Sequence, residues 1–527
     1  MPDERPNILW VCTDQQRYDT LGCYGNEFID TPTIDGLAAE GVRFERCYSQ
    51  SPICTPSRAS FLTGRYPRTT RIRQNGQNMP DDEVLVPRRL TDEGYLCGLS
   101  GKLHIAAANS ESEDRVPYME RRIDDGYADF HWSHSSRHPS PTNEYLQWLN
   151  EQGIDPEEAL FSFDPPYEES GYVFGNVTPE HHQTTWCVEK AITFMEEAAD
   201  TDDPWLYSVN FFDPHTPFDP PAEYIEPYLE DLEEIPLPNY ERGELEDKPL
   251  YHRIPPGDGF MPADEMDEEE HRILRAAYWA MIDLIDDQVE RMLEALECTG
   301  QRENTVVVFM SDHGELLGDH GIYLKGPFFY EPSIQVPLIV SWPGRIEGGR
   351  TSEALVELSD IAPTLLDAAG VEHPPGMQTK SLWPLLVGET DLDHHREDIY
   401  SENYHGQERA WFYNEEGNGA LQRTDANSEF IAPFEEPDVL PEYRAQLRDH
   451  ESQVLPYVTM VRTDRYKLVR DHSLGGGELY DLEEDPTETH NRYDDPEYAS
   501  VKTELLERLA DRMAGTIDPL PERTGRW

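Results

Sequence analysis

Four short apolar runs, each breaking off into charged or reactive side chains, constrain this chain more than any other feature. Asn7-Ile-Leu-Trp-Val-Cys12 stops at Thr13-Asp14-Gln15-Gln16-Arg17, and Gly94-Tyr-Leu-Cys-Gly-Leu-Ser100 stops at Gly101-Lys102-Leu103-His104. Trp205-Leu-Tyr-Ser-Val-Asn-Phe-Phe212 stops at Asp213-Pro-His215-Thr-Pro217, and Asn304-Thr-Val-Val-Val-Phe-Met310 at Ser311-Asp312-His313-Gly314-Glu315. Unbroken apolarity over so few residues is the pattern of a strand buried on both faces of a parallel sheet. Open α/β sheets place their chemistry at the carboxyl ends of such strands. Ile273, Ala277, Ala280, Met281, Leu284, Val289, Leu293 and Leu296 recur at helical spacing and predict a helix over His271–Cys298 with one face on that sheet. The expected fold class is α/β, a large mostly parallel sheet flanked by helices.

The stretch Cys54-Thr-Pro-Ser-Arg-Ala-Ser-Phe-Leu-Thr-Gly-Arg65 carries the sharpest chemical information. Pro56 fits the first helical position, where a missing N–H costs nothing. Cys54 then sits at the helix N-terminus, where unpaired backbone N–H groups favour anions. Arg58, four residues on, shares a face with Cys54 and cannot lose its proton. The pair describes a nucleophile facing an anionic group.

Cys-x-Pro-Ser-Arg followed by Leu-Thr-Gly-Arg resembles the signature of the type I sulfatases of the alkaline phosphatase superfamily, in which this cysteine is oxidised to Cα-formylglycine. The strand ends resemble that family too. Asp14 matches its first metal carboxylate, with Gln15 where a second acid is usual; Lys102 and His104 match its Gly-Lys-Trp-His element, with Leu103 in place of Trp. His215 matches the Pro-His-x-Pro histidine, Asp312 and His313 the second half of the metal site, and Lys325 the sulfate-binding lysine. Where relatives read Arg-Val-Pro, this chain has Gln335-Val336-Pro337. The resemblance implies catalytic Cys54, Arg58, Lys102, His104, His215 and Lys325, and a metal held by Asp14, Gln15, Cys54, Asp312 and His313. It implies one divalent ion, Ca2+ first, with Mn2+ or Mg2+ as alternatives because an imidazole at 313 is a softer ligand than an amide oxygen.

By the family mechanism, formylglycine hydrate at 54 attacks the sulfur of a sulfate monoester, His215 or Lys325 protonates the departing alcohol, and His104 helps the second hydroxyl expel sulfate. A small or saccharide sulfate ester and a formylglycine-generating maturation enzyme are the implied partners. Gln15 and His313 also suit a phosphonate monoester or phosphodiester hydrolase on the same scaffold, and a non-catalytic binding protein with a decayed site is the alternative from another class.

The remaining features bound the context. With 105 acidic against 43 basic residues and a net charge of −62, the surface repels nucleic acid and anionic membrane. Only seven lysines occur, and together with this charge density they suggest a salt-adapted, halophilic source. Seven cysteines without finger or framework spacing read as a reducing interior. The start Met-Pro-Asp-Glu-Arg-Pro lacks a signal-peptide pattern and no run of about 18 apolar residues occurs, so the expectation is a soluble, cytoplasmic protein. At 527 residues two domains are expected, a catalytic one over 1–390 and a smaller one over 391–527, an antiparallel sheet with a helix striped by Val501, Leu505, Leu509 and Met513. Residues 219–270, rich in Pro, Glu and Asp, read as a surface excursion. His131, His134 and His138 read as exposed loop histidines, because Pro139 and the serines around them argue against the helix that would gather them into a metal site.

Overall fold

The computed structural model describes residues 5–108, 119–161, 173, 177–253, 266–404, 457–473 and 475–520. Among these, nine strands build one mixed sheet: β1 (Asn7–Thr13), β2 (Val42–Tyr48), β3 (Leu96–Gly101), β4 (Asp129–Trp132), β5 (Trp205–Asn210), β6 (Thr305–Ser311), β7 (Gln335–Val336), β8 (Leu338–Ser341) and β9 (Arg350–Glu357). Their order is β4-β3-β5-β1-β6-β8-β2-β7, with β9 paired to β2. The four strands read from sequence, β3, β5, β1 and β6, are adjacent and mutually parallel. Each lies within about two residues of its expected bounds.

Alternation along β1 explains why the runs are continuously apolar. Leu9 and Val11 enter one core with Met281 and Ile285, while Ile8, Trp10 and Cys12 enter another with Phe61 and Leu62. Both faces of the sheet are therefore covered, as a parallel sheet requires. The covering helix runs from Glu268 to Cys298, three residues earlier than the expected start at His271. The extra turn comes from a capping box, in which Asp267 accepts from the Glu270 N–H and Glu270 reaches back to the Asp267 N–H.

A second sheet is antiparallel, in the order β10 (Ile399–Tyr404), β11 (Tyr457–Arg462), β12 (Tyr466–Asp471) and β13 (Gly477–Asp481). The helix Ala499–Gly515 lies against it through Leu505 and Leu509. These elements match the expected smaller sheet and helix. The span 219–270 departs from its reading as a surface excursion, although 254–265 lies outside the described residues. Its Tyr251 and His252 are buried and both meet the Glu478 carboxylate of β13 at 2.8 Å, while Lys248 Nζ donates to the Tyr480 hydroxyl at 2.7 Å. The acidic composition hid this because the anchoring side chains are few and dispersed among exposed acids.

Candidate active site

The carboxyl ends of β3, β5, β1 and β6 are stitched together by backbone rungs that continue past the strands. Lys102 N donates to Asn210 O at 3.0 Å, Phe211 N to Cys12 O at 3.0 Å, Asp14 N to Asp213 O at 3.1 Å and Asp312 N to Thr13 O at 3.2 Å. Gly101 makes the turn into Lys102 possible. Its φ is +100°, and a Cβ there would lie 2.0 Å from Asn210 O.

Cys54 is the first residue of a helix that runs to Thr63 and is closed by Gly64 at φ +66°. Pro56 is thus the third helical residue and not the first, a small correction with no energetic cost, because the N–H at that position also lacks an intrahelical acceptor. Every residue from Cys54 to Thr63 is buried, and the helix start points at the strand ends. Cys54 Sγ lies 3.1 Å from His313 Nε2, 3.8 Å from Asp14 Oδ1 and 4.0 Å from Lys102 Nζ. Arg58, fully buried, donates through Nε to Asp312 Oδ2 at 2.8 Å, through one terminal nitrogen to Asp14 Oδ2 at 2.9 Å and through the other to Lys102 O at 2.8 Å. One guanidinium fork thereby ties three strand ends to the helix.

The electrostatics follow from this crowding. Burial pushes the Asp14 carboxyl up, but Lys102, at 2.7 Å, and the other cationic neighbours hold it well below the usual carboxylate range. Burial and Asp14 also push the Cys54 thiol up, while Lys102, Lys325 and His313 bring it below its ordinary value. For Lys325 burial works against the charge and Cys54, Asp14 and Asp312 outweigh it, so its Nζ keeps its proton. Lys325 Nζ reaches Gln15 Oε1 at 2.5 Å and His215 Nε2 at 2.6 Å. The His215 Nδ1 faces the Thr216 carbonyl, which only accepts, so Nδ1 carries the ring proton and Nε2 takes the bond from Lys325. Burial first, then Lys325, keep that imidazole well below the usual histidine range and therefore neutral.

Asp14, Cys54, Asp312 and His313 offer ligand atoms that all lie within 4.8 Å of one another, every one of them buried. His313 Nδ1 donates to Gly314 O at 2.8 Å, which leaves the Nε2 lone pair facing the other three. Burial opposes charge on His313, yet Asp312 and Cys54 raise its pKa above the ordinary value. A site that draws a proton this way is equally one that draws a cation, and the donor set of carboxylates, imidazole and thiol suits a divalent ion.

His104 stands one step behind. Its N–H and those of Ile105 and Ala106 converge on the buried Glu120 carboxylate, at 2.8, 2.8 and 3.3 Å, and Trp132 Nε1 joins them at 2.9 Å. The ring meets His134 edge-to-face at 4.5 Å, and His134 lies 5.4 Å from His138. This corrects the reading of these histidines as exposed. His131 is half-buried and paired with Glu144 at 2.8 Å, His138 is buried, and the half-buried His134 packs its ring against those of His104 and His138. Spacing alone missed this because the loop after β4, which obeys no period, presents His134 and His138. Glu120, Glu315 and Tyr278, which hold the loops that carry Asp14, Gln15 and His104, were likewise not singled out. Glu315 had a signal, its place at the end of the quoted Ser-Asp-His-Gly-Glu string.

This imidazole cluster has a pH consequence. Burial, with Lys102 next in weight, holds His104 and His134 well below the histidine range, and burial pushes His138 down to about 4. Below the unfolded value of about 6.5 the unfolded chain binds more protons than the folded one, so stability falls as pH falls. For His138 the loss runs between about 6.5 and about 4, at roughly 1.4 kcal/mol per pH unit. Urea midpoints at pH 7.5, 6 and 5 check this, and His138→Gln flattens the dependence by one proton.

An α/β scaffold gathers a buried thiol, three cationic side chains and a cluster of metal-ligating groups at one sheet edge, an arrangement suited to binding a tetrahedral oxyanion. Residues 6–371 match the sulfatase family, and residues 446–514 match the C-terminal segment of N-sulphoglucosamine sulphohydrolase. The chain therefore belongs to the sulfatase family, with the fold of the alkaline phosphatase superfamily, and it is a sulfate-ester hydrolase. It is 29% identical over 527 residues to the uncharacterized sulfatase YidJ of Escherichia coli, spanning 99% of this chain and 90% of that protein. It is 30% identical over 428 residues to an arylsulfatase of Clostridium perfringens, spanning 76% and 81% of the two. Among solved structures, the phosphonate monoester hydrolase of Agrobacterium radiobacter superposes with a TM-score of 0.79 at 25% identity, over 98% of this chain and 97% of that one.

Proposed function

We propose that this sulfatase cleaves a sulfate monoester with residue 54 converted from cysteine to formylglycine and with a divalent ion held by Asp14, Gln15, Cys54, Asp312 and His313. The observation that carries the reading is Cys54 Sγ, at a helix start, 3.1 Å from His313 Nε2 inside the four-residue ligand cluster. The ion would supply Lewis-acid polarisation of the ester oxygens. The aldehyde would supply a hydrate whose second hydroxyl allows release of sulfate, an exit that a plain thiol lacks.

The chain's own residues do the rest. Arg58 orients Asp14 and Asp312 through its fork of hydrogen bonds. Lys102 and Lys325 neutralise charge on the sulfuryl oxygens before attack. Lys325 holds the proton at Nζ, with neutral His215 Nε2 as its acceptor, so Lys325 is the donor to the leaving alcohol and His215 the group that orients it. His104, kept neutral by burial and Lys102, is the residue that the family likeness assigns to assisting sulfate release.

The test is turnover of nitrophenyl sulfate with peptide mass spectrometry across residue 54. Activity that is lost to a chelator and returns with Ca2+ or Mn2+, from protein carrying the aldehyde mass, supports the reading; full activity from protein whose residue 54 is solely thiol defeats it. Conversion requires a maturation enzyme that recognises the Cys-Thr-Pro-Ser-Arg segment. A second reading, phosphonate monoester or phosphodiester hydrolysis, is favoured by the Agrobacterium likeness together with Gln15 and His313. The ratio of rates on nitrophenyl sulfate and a nitrophenyl phosphonate ester separates the two. Sulfated saccharides and small alkyl or aryl sulfates are the substrates to screen.

We also propose a cytoplasmic, salt-rich setting. Among the described residues no helix is long and apolar enough to cross a membrane, and all seven cysteines are free. With net charge −62, raising KCl from 0.1 to 2 M shortens the screening length about threefold or more and should raise Tm by on the order of 10 °C. A melt series in KCl checks it, and an unchanged Tm removes the halophilic reading.

A further inference from the structure

Gln15 and Glu315 are both fully buried, and they meet where the loop after β1 touches the loop after β6. Glu315 is held rigid from behind. Its N–H donates to Pro332 O at 3.0 Å, and its Oε1 accepts the Leu317 N–H at 2.8 Å and also the Leu324 N–H. Its Oε2 is left for Gln15 Nε2, which donates to it. At the other end of the same amide, Oε1 accepts from Lys325 Nζ at 2.5 Å. A carboxylate only accepts and an ammonium only donates, so the amide between them has one possible orientation. The backbone is fixed as firmly. Gln15 lies at φ +67°, its N–H donates to Asp312 Oδ1 at 3.1 Å and its carbonyl accepts from the Tyr278 hydroxyl at 2.5 Å.

We propose that Glu315 is a positioning residue for the cation site: its side chain locks the Gln15 amide with Oε1 turned toward Lys325, and it makes position 15 a neutral ligand. A carboxylate at 15 would set an acceptor against Glu315 Oε2 where the Gln15 Nε2 now donates, in a region without solvent. Glu315 therefore limits the negative charge around the ion to Asp14, Asp312 and residue 54. The proposal rests on the reading of this cluster as a cation site.

The experiment is calorimetric titration of Mn2+ and of Ca2+ into the full chain, as wild type, Glu315→Gln, Gln15→Glu and the double variant, with circular dichroism to confirm folding. Glu315→Gln is expected to weaken binding about tenfold or more, as loss of an outer partner of a ligand does, because an amide at 315 no longer dictates which end of Gln15 faces the ion. Gln15→Glu alone gains no affinity despite its added charge. The double variant, in which the amide now at position 315 donates to the carboxylate now at position 15, binds at least tenfold tighter than Gln15→Glu. If Glu315→Gln does not fold, the comparison of Gln15→Glu with the double variant decides. Wild-type affinity in Glu315→Gln, or tighter binding by Gln15→Glu alone, overturns the proposal and leaves the site reading standing. A wild-type chain that binds neither ion overturns the site reading and this proposal with it.

Discussion

Cys54→Ala lowers kcat on nitrophenyl sulfate by about 10³-fold or more, the loss expected when the nucleophile of a concerted group is removed. The variant should stay folded. Cys54 is one small buried side chain at the start of a helix whose remaining contacts, Arg58 to Asp312 and Asp14 among them, are untouched. Cys54→Ser separates attack from release. A hydroxyl in the same place accepts the sulfuryl group but has no second hydroxyl with which to expel it. The expected trace is a burst of nitrophenol of about one equivalent and then little turnover. Steady-state and rapid-mixing assays on the two variants check both statements, and a Cys54→Ala rate within tenfold of wild type contradicts the assignment of residue 54 as nucleophile.

Arg58→Met destabilises the folded chain by about 3–5 kcal/mol in the absence of divalent ions. The guanidinium is 0% exposed and is shared by two carboxylates that are also 0% exposed, so its removal takes from both their shared ion pair and leaves Lys102 as the close ion pair of Asp14. Arg58→Lys recovers part of this, because one ammonium cannot reach Asp312, Asp14 and the Lys102 carbonyl with the geometry of a planar fork. Divalent ions should restore stability to Arg58→Met more than to wild type, since the cation then neutralises what the arginine did. Urea midpoints with and without Mn2+ measure this. Activity falls with stability but does not return with the ion, because the orientation of Asp14 and Asp312 is lost along with the charge. A loss below about 1 kcal/mol would mean that the pairing does not hold the strand ends together.

Residue types and their order carried much of this molecule. The four apolar runs declared a doubly covered parallel sheet because burial on both faces leaves no room for polar alternation. Their abrupt polar ends declared the site because a strand terminus is where backbone order stops and side chains are free to converge. Lysine scarcity helped as well. Of seven lysines, Lys102 and Lys325 enter the site, and Lys467, 0% exposed, bridges Glu331 and Glu488 at 2.6 and 2.7 Å to pin the small sheet to the large one. What sequence could not deliver was everything held by a single long-range contact. Glu120 gathering the His104 loop, His134 against His104, Tyr251 under β13 and Glu315 behind Gln15 join positions whose spacing obeys no period. Local pattern determined which elements form and which residues stand at their ends. Only the packed tertiary structure decided which partner each buried polar group found, because that choice depends on distances set by the whole sheet and not by neighbours along the chain.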